Sequence, residues 1–240
     1  MKASKVIAKS LLLFGNNLFP FISGFSKFLS GKTVLGLLLF LRDAFQYHRK
    51  SSDDFNISLT EFYPCLTDRF ASAGKIPKHY FIQDIWGATK VYQSGVAIHY
   101  DIGSRLDGFI AHCLPFCKVV MFDVRKLESI VNNLEFQVAD FTNKTNIQDG
   151  SISSLSSLHV IEHFGLGRYG DPIQPSGHIK AIKEIERIIA PLGNIYVSVP
   201  VGRRRLVYNA HRVFSPRDMI NYFQSCELLE FSVIDDEGLL

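Results

Sequence analysis

With 240 residues, 47% apolar and 20% charged, the chain is long enough for one sizeable core, and at 12% aromatic it reads as globular. A net charge of +3 at pH 7 is too small to argue for nucleic acid, which calls for a concentrated basic face. The four cysteines, Cys65, Cys113, Cys117 and Cys226, lack the paired spacing of a metal site; buried, reduced thiols of a cytosolic protein are the expectation, with no metal ligand assigned.

Residues 1–58 differ from the rest and are expected to form a helical, apolar extension with a polar linker, ahead of a main domain over 59–240. Lys2, Lys5 and Lys9 punctuate an apolar start, and a second apolar run from Val34 to Leu41 ends at Arg42-Asp43. Neither run reaches the ~18–20 residues of a membrane span. Lys9 interrupts the first, and no small-residue cleavage site follows, so a signal peptide is not indicated. Two readings stay open for residues 1–45. One is a Phe-rich basic helix pair lying peripherally on the inner face of a membrane. The other is a pair of helices docked on the main domain or on a second copy of it, making a homo-oligomer.

Aromatic residues crowd the segment from Leu59 to Gln93, and the spacing of Phe81–Val91 predicts a helix. Such a helix covers a sheet edge or closes over a ligand, with Gln83 or Trp86 facing it. The apolar run Val96–Ile102 then predicts a buried strand ending at Asp101, followed by a sharp Gly103-Ser104 turn and a helical face through Phe109–Cys113. Strand, glycine turn and helix make the first unit of an open α/β sheet, where ligands bind beyond the carboxyl ends of the strands. Arg105 stands where a dinucleotide fingerprint wants its second glycine. Gly103 and Gly108 have P-loop spacing, but Phe109-Ile110 replaces the Lys and hydroxyl of that loop.

A second strand, Lys118–Asp123, ends in an acid 22 residues after Asp101. A carboxylate at the second strand end is where ribose hydroxyls are held, since it accepts from both members of a diol. A third strand, Leu134–Phe141, presents Asp140 in a position to accept from an adenine amino group, and Ile152–Leu158 reads as a serine-rich fourth strand. His159-Val160-Ile161-Glu162-His163 has the H-x-x-E-H spacing of some zinc hydrolases, but it leaves a strand rather than lying within a helix.

The glycine-rich loop Phe164–Pro172 reads as a wall of a substrate pocket, carrying Arg168 and Tyr169. A helix over Ser176–Ala190, stopped by Pro191, leads to a fifth strand, Asn194–Val199. Arg203, Arg204 and Arg205 lie just beyond that strand, either as a solvated face or as a seat for an anionic substrate. His211, beside Arg212, is a candidate general base or a loop histidine bonded to backbone. Ser215-Pro216 starts a further helix over 216–225, and Leu228–Ile234 is read as a sixth strand.

Several of these stretches together resemble a family. Gln83–Trp86, His99–Phe109, His163–Pro172 and Asn209–Ser215 look like the domain-of-unknown-function family first catalogued from Caenorhabditis proteins, over roughly residues 60–235. Asp101–Ser104, Asp123, Ala139-Asp140 and Ser157–His159 are similar to class I methyltransferases that use S-adenosylmethionine. The resemblance implies an α/β fold with a doubly wound, Rossmann-like methyltransferase sheet, and S-adenosylmethionine as cofactor. Asp101, Gly103 and Ser104 would then line its methionine end and Asp123 its ribose. Asp140 with Phe141 would meet the adenine, and Leu158-His159 would close one side.

His163 or His211 would serve as base, with Arg168, Tyr169, Arg203, Arg204, Arg205 and Arg212 on the acceptor. That acceptor is expected to be an anionic small molecule or glycan bearing a hydroxyl, in glycan biosynthesis. The turn holds one glycine, with Arg105 and Asp107 inside it, and six strands are read where the superfamily has seven. Those departures keep a second reading open, a catalytically inactive binding or scaffold protein of the same fold. A zinc hydrolase using His159, Glu162 and His163 is a third.

Overall fold

The computed structural model describes residues 30–51, 57–58, 62–74, 76 and 78–235; the expectations for residues 1–29 fall outside them. The chain divides into two compact units, Met1–Lys75 and Ile76–Leu240.

In the first unit, the apolar run Val34–Leu41 lies within one 20-residue helix, α1 (Gly31–Lys50). Ser30 caps it by accepting from the Thr33 N–H at 3.2 Å, and His48, Arg49 and Lys50 complement its carboxyl end. Gly36 is buried because the Leu66 carbonyl lies where a Cβ would be, and Phe40 meets Phe62 edge-on. No helix among the described residues is long and apolar enough to cross a membrane.

The second unit is built on five parallel strands in the order β3-β2-β1-β4-β5. They are β1 (Ile98–Ile102), β2 (Lys118–Asp123), β3 (Leu134–Val138), β4 (Ile152–Leu158) and β5 (Ile189–Ser198). The chain winds outward from β1 through β2 to β3, then crosses back to β4 and on to β5. The order therefore reverses between β1 and β4, at the centre of the sheet.

Side chains alternate across the pleat, so a central strand such as β2 feeds two cores. Val119 and Met121 of β2 pack with Ala88, Val91 and Phe109 under α2 (Lys78–Ser94). Val120 and Phe122 pack on the other face with Ile182, Ile185 and Ile188 of α3 (Gly177–Ile188). β1 leaves through one turn of π-helix, Leu106–Ile110, and a short α-helical turn, Ala111–Cys113. Cys113 and Cys117 are buried there as expected of reduced thiols, while Cys65 is exposed.

Serines in β4 are buried for a specific reason. Ser154 and Ser156 hold the two ring nitrogens of His99, at 2.8 and 2.9 Å, in a site with no access to solvent. Burial drives the His99 pKa down to about 3, so the ring is neutral.

Two parts of the carboxyl-terminal third depart from expectation. The segment Leu228–Ile234 forms no strand; its Leu228, Leu229, Phe231 and Val233 are exposed, and β5 pairs with β4 alone. The run Arg203–Phe214 is instead a small antiparallel hairpin, β6 (Arg205–Val207) and β7 (His211–Val213), followed by α4 (Pro216–Tyr222). Apolar alternation alone marks 228–234 as strand-like, but pairing needs a register with a neighbour, which this segment lacks.

The loop from β3 to β4 has no helix of its own and is pinned to α3 by charge. Glu184 accepts from the Thr145 N–H and hydroxyl, both at 2.7 Å, and from Arg187 at 2.6 and 2.9 Å. Arg187 also donates to the Ile147 carbonyl at 2.8 Å and pairs with Asp149. Burial opposes the Glu184 charge, but these donors outweigh it and hold the carboxyl at about 2. A depressed carboxylate stabilises the fold above its unfolded value of 4.5 and loses that contribution as pH falls toward 2. Glu184→Gln is expected to cost roughly 1–3 kcal/mol at pH 7. In urea unfolding, the gap to the parent should shrink as pH drops from about 4.5 to about 2.

Candidate active site

A cleft of ≈ 1760 Å³ begins at the carboxyl ends of the strands, where the strand order reverses, and continues along β5 back to Ile189 and beside residues 225–234. Of the residues singled out from sequence, it is lined by Gly103, Ser104, Asp123, Leu158, His159, His163, Arg168, Tyr169, Arg205 and His211. Asp101, Asp140, Phe141, Arg203, Arg204 and Arg212 are not among its walls.

Asp101, one residue before the end of β1, has no solvent access and lies beneath the turn rather than in it. It accepts from the Ser104 N–H at 2.9 Å, the Ser104 hydroxyl at 2.7 Å, and the Ser156 hydroxyl. Ser156 thus gives its proton to Asp101 and accepts from His99 Nε2–H, which leaves His99 Nδ1 to accept from Ser154. Asp101 fixes the turn, and the turn presents Ser104. Gly103 has φ +68°, and a Cβ there would sit 3.0 Å from the Val160 side chain, so glycine is required.

Asp123 ends β2 at the cleft with its side chain 11% exposed. Arg125 takes both its oxygens, Nε to Oδ1 at 2.9 Å and a terminal nitrogen to Oδ2 at 2.7 Å. The Arg125 guanidinium also lies 4.5 Å from the Tyr169 ring centroid, and Arg168 lies 5.2 Å from the same ring. A recess of ≈ 70 Å³ beside β1 and β2 is bounded by Gly103, Asp123, Arg125, Val160 and Tyr169. Asp140 is spent on its own loop, accepting from Thr142 at 2.7 and 2.8 Å and from Asn143 at 2.8 Å. Phe141 is core, 1% exposed.

At the end of β4, His159 has φ +55° and donates its N–H to the Ser198 carbonyl at 3.0 Å. The Ser198 hydroxyl donates to Gln83 Oε1 at 2.5 Å, which ties α2 to the end of β5. Trp86 also lines it and donates to Glu230 at 3.2 Å. His159 Nδ1 is 2.9 Å from Glu162 Oε1. His163 turns Nδ1 to the Ala210 carbonyl at 2.7 Å, and burial lowers its pKa, so it is a neutral, anchored ring.

Residues 161–163 form a 3-10 turn, which does not give the H-x-x-E-H histidines a common helical face. Among the described residues no group of three or more His, Cys, Asp or Glu side chains is placed to hold a metal ion.

The glycine-rich loop is a wall, as its sequence suggests. The Asp171 carboxylate accepts from the N–H groups of Gly165, Gly167 and Tyr169 at 2.8, 3.3 and 3.3 Å, and this clasp carries Arg168 and Tyr169 to the cleft. Arg212 is a strut. It donates to the carbonyls of Glu162, Phe164 and Pro175 at 3.3, 2.7 and 3.1 Å. Of the arginine run, Arg205 reaches the cleft, and Arg204 lies 4.0 Å from Asp218. Sequence reasoning missed Arg125 and the partnership of Glu162 with His159. The spacing Asp123-x-Arg125 at a strand end was a usable signal for the first.

One family model matches the chain, that of the Caenorhabditis protein of unknown function, DUF268. It matches residues 123–237. The DUF268 match thus takes in Asp123, Arg125, the end of β4 and the Asp171 loop, and starts after β1 and its turn. No curated protein sequence matches the chain.

Among solved structures, the chain is similar to Burkholderia thailandensis 1,6-didemethyltoxoflavin-N1-methyltransferase at 13% identity, covering 60% of this chain and 67% of that one, with TM-score 0.47. It is also similar to the [4+2]-cyclase SpnF, at 12% identity over 72% of this chain and 60% of that one, TM-score 0.45. A third is Haemonchus contortus phosphoethanolamine N-methyltransferase 2, at 14% identity over 59% of this chain and 36% of that one, TM-score 0.42.

Burial raises the Asp101 pKa to about 6 against the hydrogen bonds from Ser156 and Ser104. Between 3.8, its unfolded value, and about 6, the folded state keeps a proton that the unfolded chain has lost, so this group's contribution to stability falls as pH rises. Thermal melts from pH 4 to 7 should show that fall in the parent and not in Asp101→Asn, which cannot ionise.

Proposed function

We propose that the chain is an S-adenosylmethionine-dependent methyltransferase acting on a hydroxyl of an anionic acceptor, of the glycan or sugar-phosphate kind. The observation that carries the reading is Asp123. Its carboxylate stands at the end of the second strand, beside the Gly103-Ser104 turn and one strand away from the reversal of strand order between β1 and β4. A vicinal diol is the ligand that such a carboxylate suits. The family resemblance supports the same reading.

Bound here, S-adenosylmethionine would supply a methyl group on a sulfonium sulfur, whose carbon–sulfur bond would break as the carbon–oxygen bond forms, with a neutral thioether as leaving group. Ser104, Asp123 and Leu158 are the residues that would hold it. Arg168 and Arg205 place two guanidiniums in the cleft wall, groups suited to phosphate or carboxylate. Alignment of the acceptor against the methyl group supplies most of the acceleration in such a transfer.

A second reading, a catalytically silent binding protein of this fold, is favoured by one feature: both oxygens of Asp123 are already taken by Arg125. On the transferase reading, Arg125 swings away when ribose binds. Calorimetric titration with S-adenosylhomocysteine decides between them. The transferase reading expects micromolar binding, weakened at least about tenfold in Asp123→Ala, which is about 1.4 kcal/mol. Arg125→Ala, which removes the guanidinium from the carboxylate and leaves only the main-chain N–H of position 125 on Oδ1, should tighten binding several-fold. A folded parent and Arg125→Ala variant that both fail to bind would leave the silent reading standing.

A further inference from the structure

The cleft holds a histidine–glutamate pair in an orientation that suits proton removal. His159 occupies a left-handed backbone conformation that few residues other than glycine adopt. It is kept there by its N–H bonds to Ser198, and its ring lies 5.4 Å from that of Tyr80. The side chain is 23% exposed in the cleft wall, whereas the Glu162 side chain is 2% exposed behind it. An ionised carboxylate only accepts, so Nδ1 carries the hydrogen that bridges to Glu162 Oε1 at 2.9 Å. The neutral ring then has its lone pair on Nε2, on the side away from Glu162. Glu162 Oε2 is buried with no hydrogen-bond partner, so the carboxylate has capacity to spare for a positive neighbour.

The other two histidines of the cleft are placed differently. His163 gives Nδ1 to the Ala210 carbonyl and has Nε2 3.8 Å from the same Glu162 oxygen, so both its nitrogens face protein. His211 has no carboxylate pairing with it among the described residues.

We propose that His159 is the proton acceptor of this cleft and that Glu162 is its positioning residue. The identity of the donor, an acceptor hydroxyl awaiting methylation, rests on the transferase reading; the arrangement of the pair does not. The hydroxyl proton passes to Nε2 and the O–H bonding pair stays on oxygen, which becomes the nucleophile. The imidazolium, stabilised by Glu162, later returns the proton to water.

The test is long-range proton–nitrogen correlation NMR on the full chain with 15N-labelled histidine at pH 8, His159 being assigned by its loss in His159→Gln. The expected result is a His159 ring protonated at Nδ1 and bare at Nε2. Glu162→Gln should keep that tautomer, because an amide carbonyl also accepts, and Glu162→Ala should shift it toward Nε2–H. A parent spectrum dominated by Nε2–H would overturn the proposal, and if Glu162→Ala does not fold, the parent and Glu162→Gln spectra decide.

A buried structural pair would resist chemical attack. Diethyl pyrocarbonate should therefore acylate His159 at least about tenfold faster than His163; an inert His159 would sink the idea. Neither readout needs a cofactor. Failure to bind S-adenosylhomocysteine would remove the transferase reading and leave the pair, while an Nε2–H spectrum would do the reverse.

Discussion

The second unit hangs on a hydrogen-bonded chain from Ser154 through His99 and Ser156 to Asp101, all without access to water, and on to Ser104 at the cleft. It ties β1 to β4, the two strands between which the sheet changes direction, and it ends in the turn that faces the cleft. A buried polar group left unpaired costs far more than a paired one gains, so each member holds the next in place. The floor of the cleft is therefore set from inside the core. Ser104 is where it is because Asp101, buried beneath it, accepts both its N–H and its hydroxyl.

Above that floor, one rim of the cleft is organised by charge. Asp123, Arg125, Tyr169 and Arg168 form a ladder in which a carboxylate binds a guanidinium and two guanidiniums share one ring. This ladder joins the end of β2 to the glycine-rich loop across the mouth of a small recess. The His159–Glu162 pair follows the end of β4, two strands across the sheet from β2. One rim thus carries groups suited to a diol and to anions, and the other carries a proton acceptor.

Much of the fold is legible in the sequence because parallel strands are apolar runs with clear ends. β2 and β4 have the bounds their sequences suggest, and Asp123 falls at a strand end as its pattern implies. Other parts depend on distant partners. Leu228–Ile234 alternates like a strand yet finds no neighbour, whereas Arg205–Val207 and His211–Val213, too short to signal anything, pair with each other. The site shows the same division. Residues at strand ends reach the cleft, while Asp101, Asp140 and Arg212 are taken up by bonds to nearby loops and carbonyls. Whether a polar side chain serves the ligand or the backbone is decided by which orphan donors lie within reach. A linear string does not carry that information.

The clasp made by Asp171 bears on how such a cleft diversifies. One carboxylate gathers three main-chain N–H groups, and none of those bonds uses the side chain of Arg168 or Tyr169. The loop's shape is thereby separated from the chemistry it displays. It behaves as a mount in which the tools at positions 168 and 169 are interchangeable, so relatives could change the charge offered to an acceptor without rebuilding the wall that offers it.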